Sequence, residues 1–221
     1  MIDFAARRAK MVERQIAARG IHDQNILQAM HDVPREAFVP TALADQAYED
    51  MPLPIEAGQT ISQPYIVGLM IDAARIEAGD TVLEVGAGSG YAAAVISRIA
   101  GKVVAIERQH DLVEIARERL QHLGYANVEI VEGDGTRGWP DEAPYDAILA
   151  AASGSHVPEA LIAQLSPGGR LIMPVGDPQA VQELIKVTKQ DDGILRQENL
   201  GAVRFVPLIG EEGWSEAWRG D

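Results

Sequence analysis

Thr81-Val82-Leu83-Glu84-Val85-Gly86-Ala87-Gly88-Ser89-Gly90 decides how the rest of the chain is read. A short β-rich run leads directly into three alternating glycines, and residues 91–100 then carry a helical apolar pattern. Strand, glycine loop and helix in this order let backbone N–H groups approach a ligand at the helix start. A plain strand-to-helix turn is the alternative, although three glycines cost conformational entropy that such a turn rarely needs. Glu107 ends the next β-rich run, Val103-Val104-Ala105-Ile106, 17 residues beyond Gly90. A carboxylate there can accept hydrogen bonds from a ribose diol, and a solvated strand end is its bland counterpart. Loop and acid together indicate an adenosine nucleoside. The spacing G-x-G-x-G lacks the extra residue of the dinucleotide fingerprint G-x-G-x-x-G and so suits a ligand without pyrophosphate.

Outward from this unit the alternation continues. Residues 128–131, 145–149 and 169–175 read as strands, and 112–123 and 157–165 as helices. Alternating β and α at this period predicts an α/β fold, a doubly wound, mostly parallel sheet covered on both faces. Upstream, Phe4, Met11 and Ile16, then Ile26, Leu27 and Met30, sit at helical spacings before Pro34, Pro40, Pro52, Pro54 and Pro64. That pattern predicts a helical cap followed by an ordered loop. After Pro178, residues 181–188 and 200–206 flank Asp191-Asp192-Gly193 and predict antiparallel strands at the far edge of the sheet. The expected organisation is a single domain over residues 1–221, with parts at 1–80, 81–176 and 177–221.

Nineteen Lys and Arg stand against 33 Asp and Glu among 221 residues, for a net charge of −14, with 47% hydrophobic residues and no cysteine. A chain of this length buries roughly 70% of the surface its unfolded form exposes, enough for a full core without staples. The absence of cysteine excludes a disulfide scaffold, a cysteine-ligated zinc site, an iron–sulfur cluster and thiol catalysis. The acidic balance argues against duplex nucleic acid as the main partner, because phosphate neutralisation needs a basic face. Arg7, Arg8, Lys10, Glu13, Arg14 and Arg19 interrupt any leader-like apolar region, and Ser97 and Arg98 break the most apolar window, 92–100. The expectation is a soluble, cytoplasmic, monomeric protein with no metal centre.

Seven places in the chain carry a resemblance. Leu83-Glu84-Val85-Gly86-Ala87-Gly88-Ser89-Gly90 with Glu107, Gly133-Asp134-Gly135, and Leu165-Ser166-Pro167-Gly168-Gly169-Arg170-Leu171 resemble the motif ladder of class I S-adenosylmethionine-dependent methyltransferases. Gly133-Asp134-Gly135-Thr136-Arg137-Gly138-Trp139, Ala143-Pro144-Tyr145-Asp146-Ala147-Ile148, Gly58-Gln59-Thr60-Ile61-Ser62-Gln63-Pro64-Tyr65 and Val203-Arg204-Phe205-Val206-Pro207-Leu208-Ile209-Gly210 are similar to the protein-L-isoaspartate O-methyltransferases. The resemblance spans residues 11–214. It implies a seven-stranded Rossmann-like methyltransferase fold, with a cap and substrate loop, a cofactor-binding core and antiparallel C-terminal strands. It also implies S-adenosyl-L-methionine as cofactor, S-adenosyl-L-homocysteine as product, and repair of L-isoaspartyl residues in damaged proteins and peptides. Carried over residue by residue, Gly86, Gly88, Ser89, Gly90, Tyr91, Glu107, Gly133, Asp134 and Gly135 would hold the cofactor. Thr60, Ile61, Gln63, Val203 and Arg204 would meet the substrate. Two stretches depart from the pattern: Glu56 stands where glycine is expected, and Ala151-Ala152-Ser153-Gly154 replaces a Thr-Ala-Ala-Ala run.

An isoaspartyl carboxylate, with a reference pKa near 4, is ionised at neutral pH, so methyl transfer to it needs no general base. His22, His31, His110, His122 and His156 are therefore read as exposed or core-edge residues. Catalysis reduces to holding nucleophile and methyl in line and excluding water. Ser62 is the candidate donor that orients the acceptor carboxylate, and a helix cap or ST-turn is its alternative role. Arg204 either meets a substrate carboxylate or is a solvated strand charge. Two other functions compete. An NAD(P)-linked oxidoreductase is opposed by the glycine spacing and the lack of a Tyr-x-x-x-Lys pair. A retargeted or non-catalytic relative of the methyltransferase fold is kept open by Glu56.

Overall fold

The computed structural model describes residues 2–215. Helix α1 (Phe4–Met11) starts at Asp3, whose carboxylate accepts from the Ala6 N–H at 2.9 Å, and it runs on through a π-helical stretch over Val12–Ile16. Asp23 caps α2 (Gln24–Asp32) in the same way, with the Asn25 N–H at 2.8 Å, and Ile26, Ala29 and Met30 form its buried face. The proline-rich loop then folds into a small hairpin, β1 (Leu53–Pro54) paired antiparallel with β2 (Thr60–Ile61), before α3 (Pro64–Ala74). Proline at the first turn of α3 suits a position whose N–H has no helical partner.

From here strand and helix alternate: β3 (Thr81–Val85), α4 (Tyr91–Ser97), β4 (Lys102–Glu107), α5 (His110–Leu123), β5 (Val128–Glu132), β6 (Tyr145–Ala150), α6 (Glu159–Ala163) and β7 (Leu165–Val175). Two long strands, β8 (Gln182–Lys189) and β9 (Leu195–Val203), complete a seven-stranded sheet in the order β5-β4-β3-β6-β7-β8-β9. The strands from β3 to β7 pair in parallel, whereas β7 with β8 and β8 with β9 pair antiparallel. Side chains alternate between the sheet faces. Val82, Val103, Ala105, Ala147 and Leu149 join the cap helices, α4 and α5 in one core, while Leu83, Val85, Val104, Ile106 and Ile148 pack with α6 in another. Chain order reverses direction at β3, flanked by β4 on one side and β6 on the other. The loops after these strands therefore part there and open the crevice in which ligands of doubly wound sheets bind.

Several boundaries correct the sequence pattern: α4 stops at Ser97 rather than running to residue 100, and β7 starts at Leu165 rather than at residue 169. The last strand begins at Leu195 and ends at Val203, rather than covering 200–206. Its Arg196, Gln197, Glu198 and Asn199 are exposed on an edge, so no apolar alternation announces them. Beyond Val203 the chain leaves the ladder, and the Gln182 side chain grips the Phe205 backbone, accepting from its N–H at 2.7 Å and donating to its carbonyl at 3.2 Å. Helix α6 spans Glu159–Ala163, shorter than the 157–165 pattern, with Pro158 holding extended backbone at its start.

Candidate active site

The glycine loop continues the sheet for one more step, since the N–H groups of Gly86 and Ala87 both donate to the Ile106 carbonyl, at 2.8 and 3.0 Å. It then turns through left-handed backbone at Gly86, Gly88 and Gly90. The glycines serve different ends. A Cβ on Gly88 would sit 3.4 Å from Ile55 of the loop above, at a φ of 53° that side chains avoid. A Cβ on Gly90 would press to 3.2 Å against Leu120 of α5, so this glycine lets helix and loop pack closely.

Glu107, at the end of β4, is only 6% exposed and holds the loop across the crevice. One carboxylate oxygen accepts from the Gly88 N–H at 2.9 Å, and the other from Arg108 and Gln109 N–H at 2.8 and 2.9 Å. A carboxylate offers about four acceptor positions, so capacity remains on the side facing the cavity. Glu84 lies one strand away, fully buried, and its Oε2 has no hydrogen-bond partner among the described residues. Burial, and then the charge of Glu107, push its pKa up to about 8 against an opposing backbone bond from Ala93. Both acids line a cavity of about 410 Å³. An orphaned acid beside a partly used carboxylate fits a ligand that brings a positive charge and hydroxyl donors.

The hairpin segment Thr60, Ile61 and Ser62 lines the same cavity as the glycine loop, and so do Val206, Pro207 and Leu208. This last segment is fixed by backbone pairing with Ser153, whose N–H donates to the Val206 carbonyl while its own carbonyl accepts from Leu208, each at 2.8 Å. The Ser62 carbonyl accepts from Arg35 Nη2 at 2.9 Å, whereas its hydroxyl has no partner among the described residues. The cap position of α3 is Gln63, and it makes no side-chain cap bond. Ser62 is thus not tied up as a helix cap, and its hydroxyl is available to a ligand in the cavity it lines.

Of the residues singled out from sequence, Gly86, Gly88, Ser89, Tyr91, Glu107 and Gly135 meet Thr60, Ile61 and Ser62 around this cavity. Six others stand outside its wall. Gly90 faces Leu120, and the Gln63 amide donates to the Asp50 carbonyl at 3.0 Å. Asp134 accepts from the Thr136 N–H and hydroxyl at 2.9 and 2.7 Å and from the Glu211 N–H at 2.8 Å, so its carboxylate ties the C-terminal segment to the turn after β5. Gly133 precedes it outside the wall, Val203 is buried at the end of β9, and Arg204 is exposed. Glu84 belongs to the wall without having been named as a site residue, and so do Ala151 and Ala152 of the departing run. The signal for Glu84 was present, as an acid inside an apolar run destined for a central strand.

Both departures from the family pattern find partners. Glu56 opens a 3-10 turn in which Ala57 adopts φ 54°, and it pairs at 3.6 Å with Arg119 of α5. Arg119 also donates to the Ser89 carbonyl at 3.0 Å, so one guanidinium joins the hairpin loop to the glycine loop. Ala151 is held beside the glycine loop by its N–H, which donates to the Val85 carbonyl at 2.8 Å, and its methyl lies 3.7 Å from where a Gly86 Cβ would stand, an ordinary contact.

Residues 6–213 match the family model for protein-L-isoaspartate(D-aspartate) O-methyltransferase. A protein-L-isoaspartate O-methyltransferase of Rhodopseudomonas palustris is 57% identical over 93% of this chain and 94% of its own length. Another, from Pelobacter propionicus, is 54% identical over 94% of this chain and 92% of its own length. Among solved structures, a protein-L-isoaspartate O-methyltransferase superposes with a TM-score of 0.83 at 33% identity, covering 93% of this chain and 67% of that one. A Plasmodium falciparum structure, solved in complex with S-adenosyl-L-homocysteine, superposes with a TM-score of 0.79 at 26% identity over 91% of this chain and 98% of that one. With the glycine loop, the acid after β4 and the Ser62 segment gathered around one cavity, the chain belongs to the protein-L-isoaspartate(D-aspartate) O-methyltransferase family.

Proposed function

We propose that this cavity is where the chain, an S-adenosylmethionine-dependent carboxyl methyltransferase, methylates the free carboxylate of L-isoaspartyl residues, with Ser62 orienting the acceptor. The single observation that carries the assignment is the free Ser62 hydroxyl in the same cavity wall as the glycine loop and two buried acids. S-adenosylmethionine supplies an electrophilic methyl group when bound and leaves as S-adenosyl-L-homocysteine. Glu84 and the glycine loop would hold its charged amino-acid end, and Glu107 its ribose. Gly135 and Leu208 border the space left for the base.

The acceptor arrives ionised, so the chain's task is alignment and exclusion of water. Ser62 donates one hydrogen bond to the incoming carboxylate, and Thr60 and Ile61 offer the extended edge of β2 to the peptide main chain. Val206 and Pro207 line the same cavity. In this reading Gln63 supports the loop from behind through Asp50, while Val203 and Arg204 shape the approach rather than the cavity itself. None of the five histidines lines the cavity, in keeping with chemistry that needs no base. The ester carbonyl carries methoxide, a far better leaving group than the oxygen of a free carboxylate; the neighbouring amide nitrogen attacks it, the acyl C–O bond breaks, methanol departs with the amide proton, and hydrolysis of the resulting succinimide returns some normal aspartyl bonds.

The single-domain division at residues 80 and 176 and a monomeric, cytoplasmic protein complete the proposal; no helix among the described residues is long and apolar enough to cross a membrane. Methyl transfer measured on matched isoaspartyl and aspartyl peptides tests the function. Labelling of the isoaspartyl peptide alone is the expected result, and equal labelling of both would refute the substrate assignment.

A further inference from the structure

Arg35 is fully buried in the cap, just behind the cavity wall. Its Nε donates to the Ala47 carbonyl at 2.7 Å, its Nη2 donates to the Ser62 carbonyl at 2.9 Å, and its guanidinium carbon stands 4.8 Å from the centre of the Tyr91 ring. Ser62 and Tyr91 both line the cavity. Among the described residues Arg35 makes no ion pair; its Nη1 and the Tyr91 hydroxyl attract each other but do not close a well-formed hydrogen bond. The Asp50 carboxylate acts on the guanidinium from a distance, but its own ion pair is with Arg19, at 2.8 Å.

An unpaired buried guanidinium is an expensive way to tie two carbonyls together, since burying a charge without an ionic partner opposes folding strongly. What only arginine supplies here is a planar fork that spans two carbonyls at fixed angles. Ala47 belongs to the cap, whereas Ser62 begins the turn into α3, so the fork sets the peptide plane from which the Ser62 side chain projects. We propose that Arg35 is a positioning residue for methyl transfer: by fixing the Ser62 carbonyl, it aims the Ser62 hydroxyl at the acceptor carboxylate. The proposal rests on the assignment of Ser62 above.

A double-mutant cycle separates the two. S62A, R35K, R35Q and the double variant S62A/R35K are compared by single-turnover methylation at saturating isoaspartyl peptide, with cofactor affinity and the urea midpoint measured on each. S62A should slow transfer by something like 10²-fold, the loss expected for one positioned donor. R35K keeps the charge but cannot span both carbonyls, and it should slow transfer about 10-fold or more with cofactor affinity within twofold. S62A/R35K should be no more than about threefold slower than S62A, because Arg35 acts through a hydroxyl that is already gone. Losses that multiply in the double variant, or a normal rate in R35K, would overturn the role of Arg35 while leaving Ser62 in place. A normal rate in S62A would instead remove the Ser62 assignment. If neither R35K nor R35Q folds, Arg35 is a requirement of the fold and the positioning role is withdrawn.

Discussion

Replacing Glu107 separates two kinds of carboxylate. One that served only a ribose diol could be removed without touching the stability of the ligand-free protein. Here the carboxylate accepts three backbone N–H bonds, from Gly88, Arg108 and Gln109, at 2.8–2.9 Å, and holds the glycine loop against the end of β4. A hydrogen bond to a charged group contributes about 1.5–3 kcal/mol. Three of them would sum to well over 4 kcal/mol if all three donors stayed dry after removal. Glu107 lines an open cavity and the Arg108 side chain reaches solvent, so water can reach the donors and about 2–4 kcal/mol is the expected loss for Glu107→Ala. Glu107→Gln keeps an acceptor for Arg108 and Gln109 but turns an amide donor toward the Gly88 N–H, which should cost about 1–2 kcal/mol. Urea denaturation of the ligand-free variants reads both numbers, and calorimetry with S-adenosyl-L-homocysteine reads the affinity. An apo stability of Glu107→Ala within about 0.5 kcal/mol of the parent would refute the structural half of the reasoning and return Glu107 to a purely ligand-facing role.

Ser62→Ala should leave the urea midpoint unchanged, because the hydroxyl caps nothing, while lowering methyl transfer about 10²-fold. A midpoint shifted by the roughly 1 kcal/mol of a lost cap, with the rate preserved, would reverse that assignment. The folded-state pKa of Glu84 is raised from 4.5 to about 8, so the stability it contributes is fully present below pH 4.5 and is lost as pH rises through about 8. Glu84→Gln should therefore become the more stable of the two in the ligand-free state as pH rises from 5 to 8.5, and parallel curves for variant and parent would contradict the burial argument. In Gly135→Ala the new methyl would sit 2.5 Å from Val85 Cγ1, inside a strand with no room to shift, so a loss of about 1–3 kcal/mol is expected by differential scanning calorimetry.

Much of the fold is legible in the chain itself, and what is not has physical causes. Runs such as Val82-Leu83 and Val103-Val104-Ala105-Ile106 are apolar on both faces and so read directly as central parallel strands. The glycine loop and Glu107 were readable because their chemistry is local: three left-handed residues, then an acid at the next strand end. Asp134 was harder. Its Asp-Gly pair marks a turn, and Thr136 does take one carboxylate oxygen there, but the Glu211 N–H on the other oxygen lies 77 residues away, and no local pattern encodes that contact. Arg35 looks like any surface arginine in a proline-rich loop, and its burial is decided by the Ala47 and Ser62 carbonyls, 12 and 27 residues on. Glu56 departs from the family's glycine and still keeps the loop folded, because Arg119 of a distant helix supplies the countercharge and Ala57 takes the left-handed turn.

The charges around the cavity also set an order of binding. This protein carries a net charge of −14, and two of its acids line the one cavity that must admit a carboxylate. Like charges about 8 Å apart repel by about 2 kcal/mol at an effective dielectric constant near 20. An acceptor entering ahead of the cofactor would meet the Glu107 charge without compensation. A cationic ligand held by Glu84 and Glu107 cancels it and leaves a more favourable field toward the Ser62 side, where the unpaired Arg35 guanidinium stands behind the wall. Isoaspartyl peptide should therefore bind the free protein about tenfold or more weakly than it binds the protein loaded with sinefungin, a cofactor analogue that keeps the positive charge but has no methyl to transfer. S-adenosyl-L-homocysteine, which has lost the sulfonium charge, should produce less of this coupling. Titration calorimetry in the three states measures it, and equal peptide affinity in all three would show that the acids of the cavity do not govern entry of the acceptor.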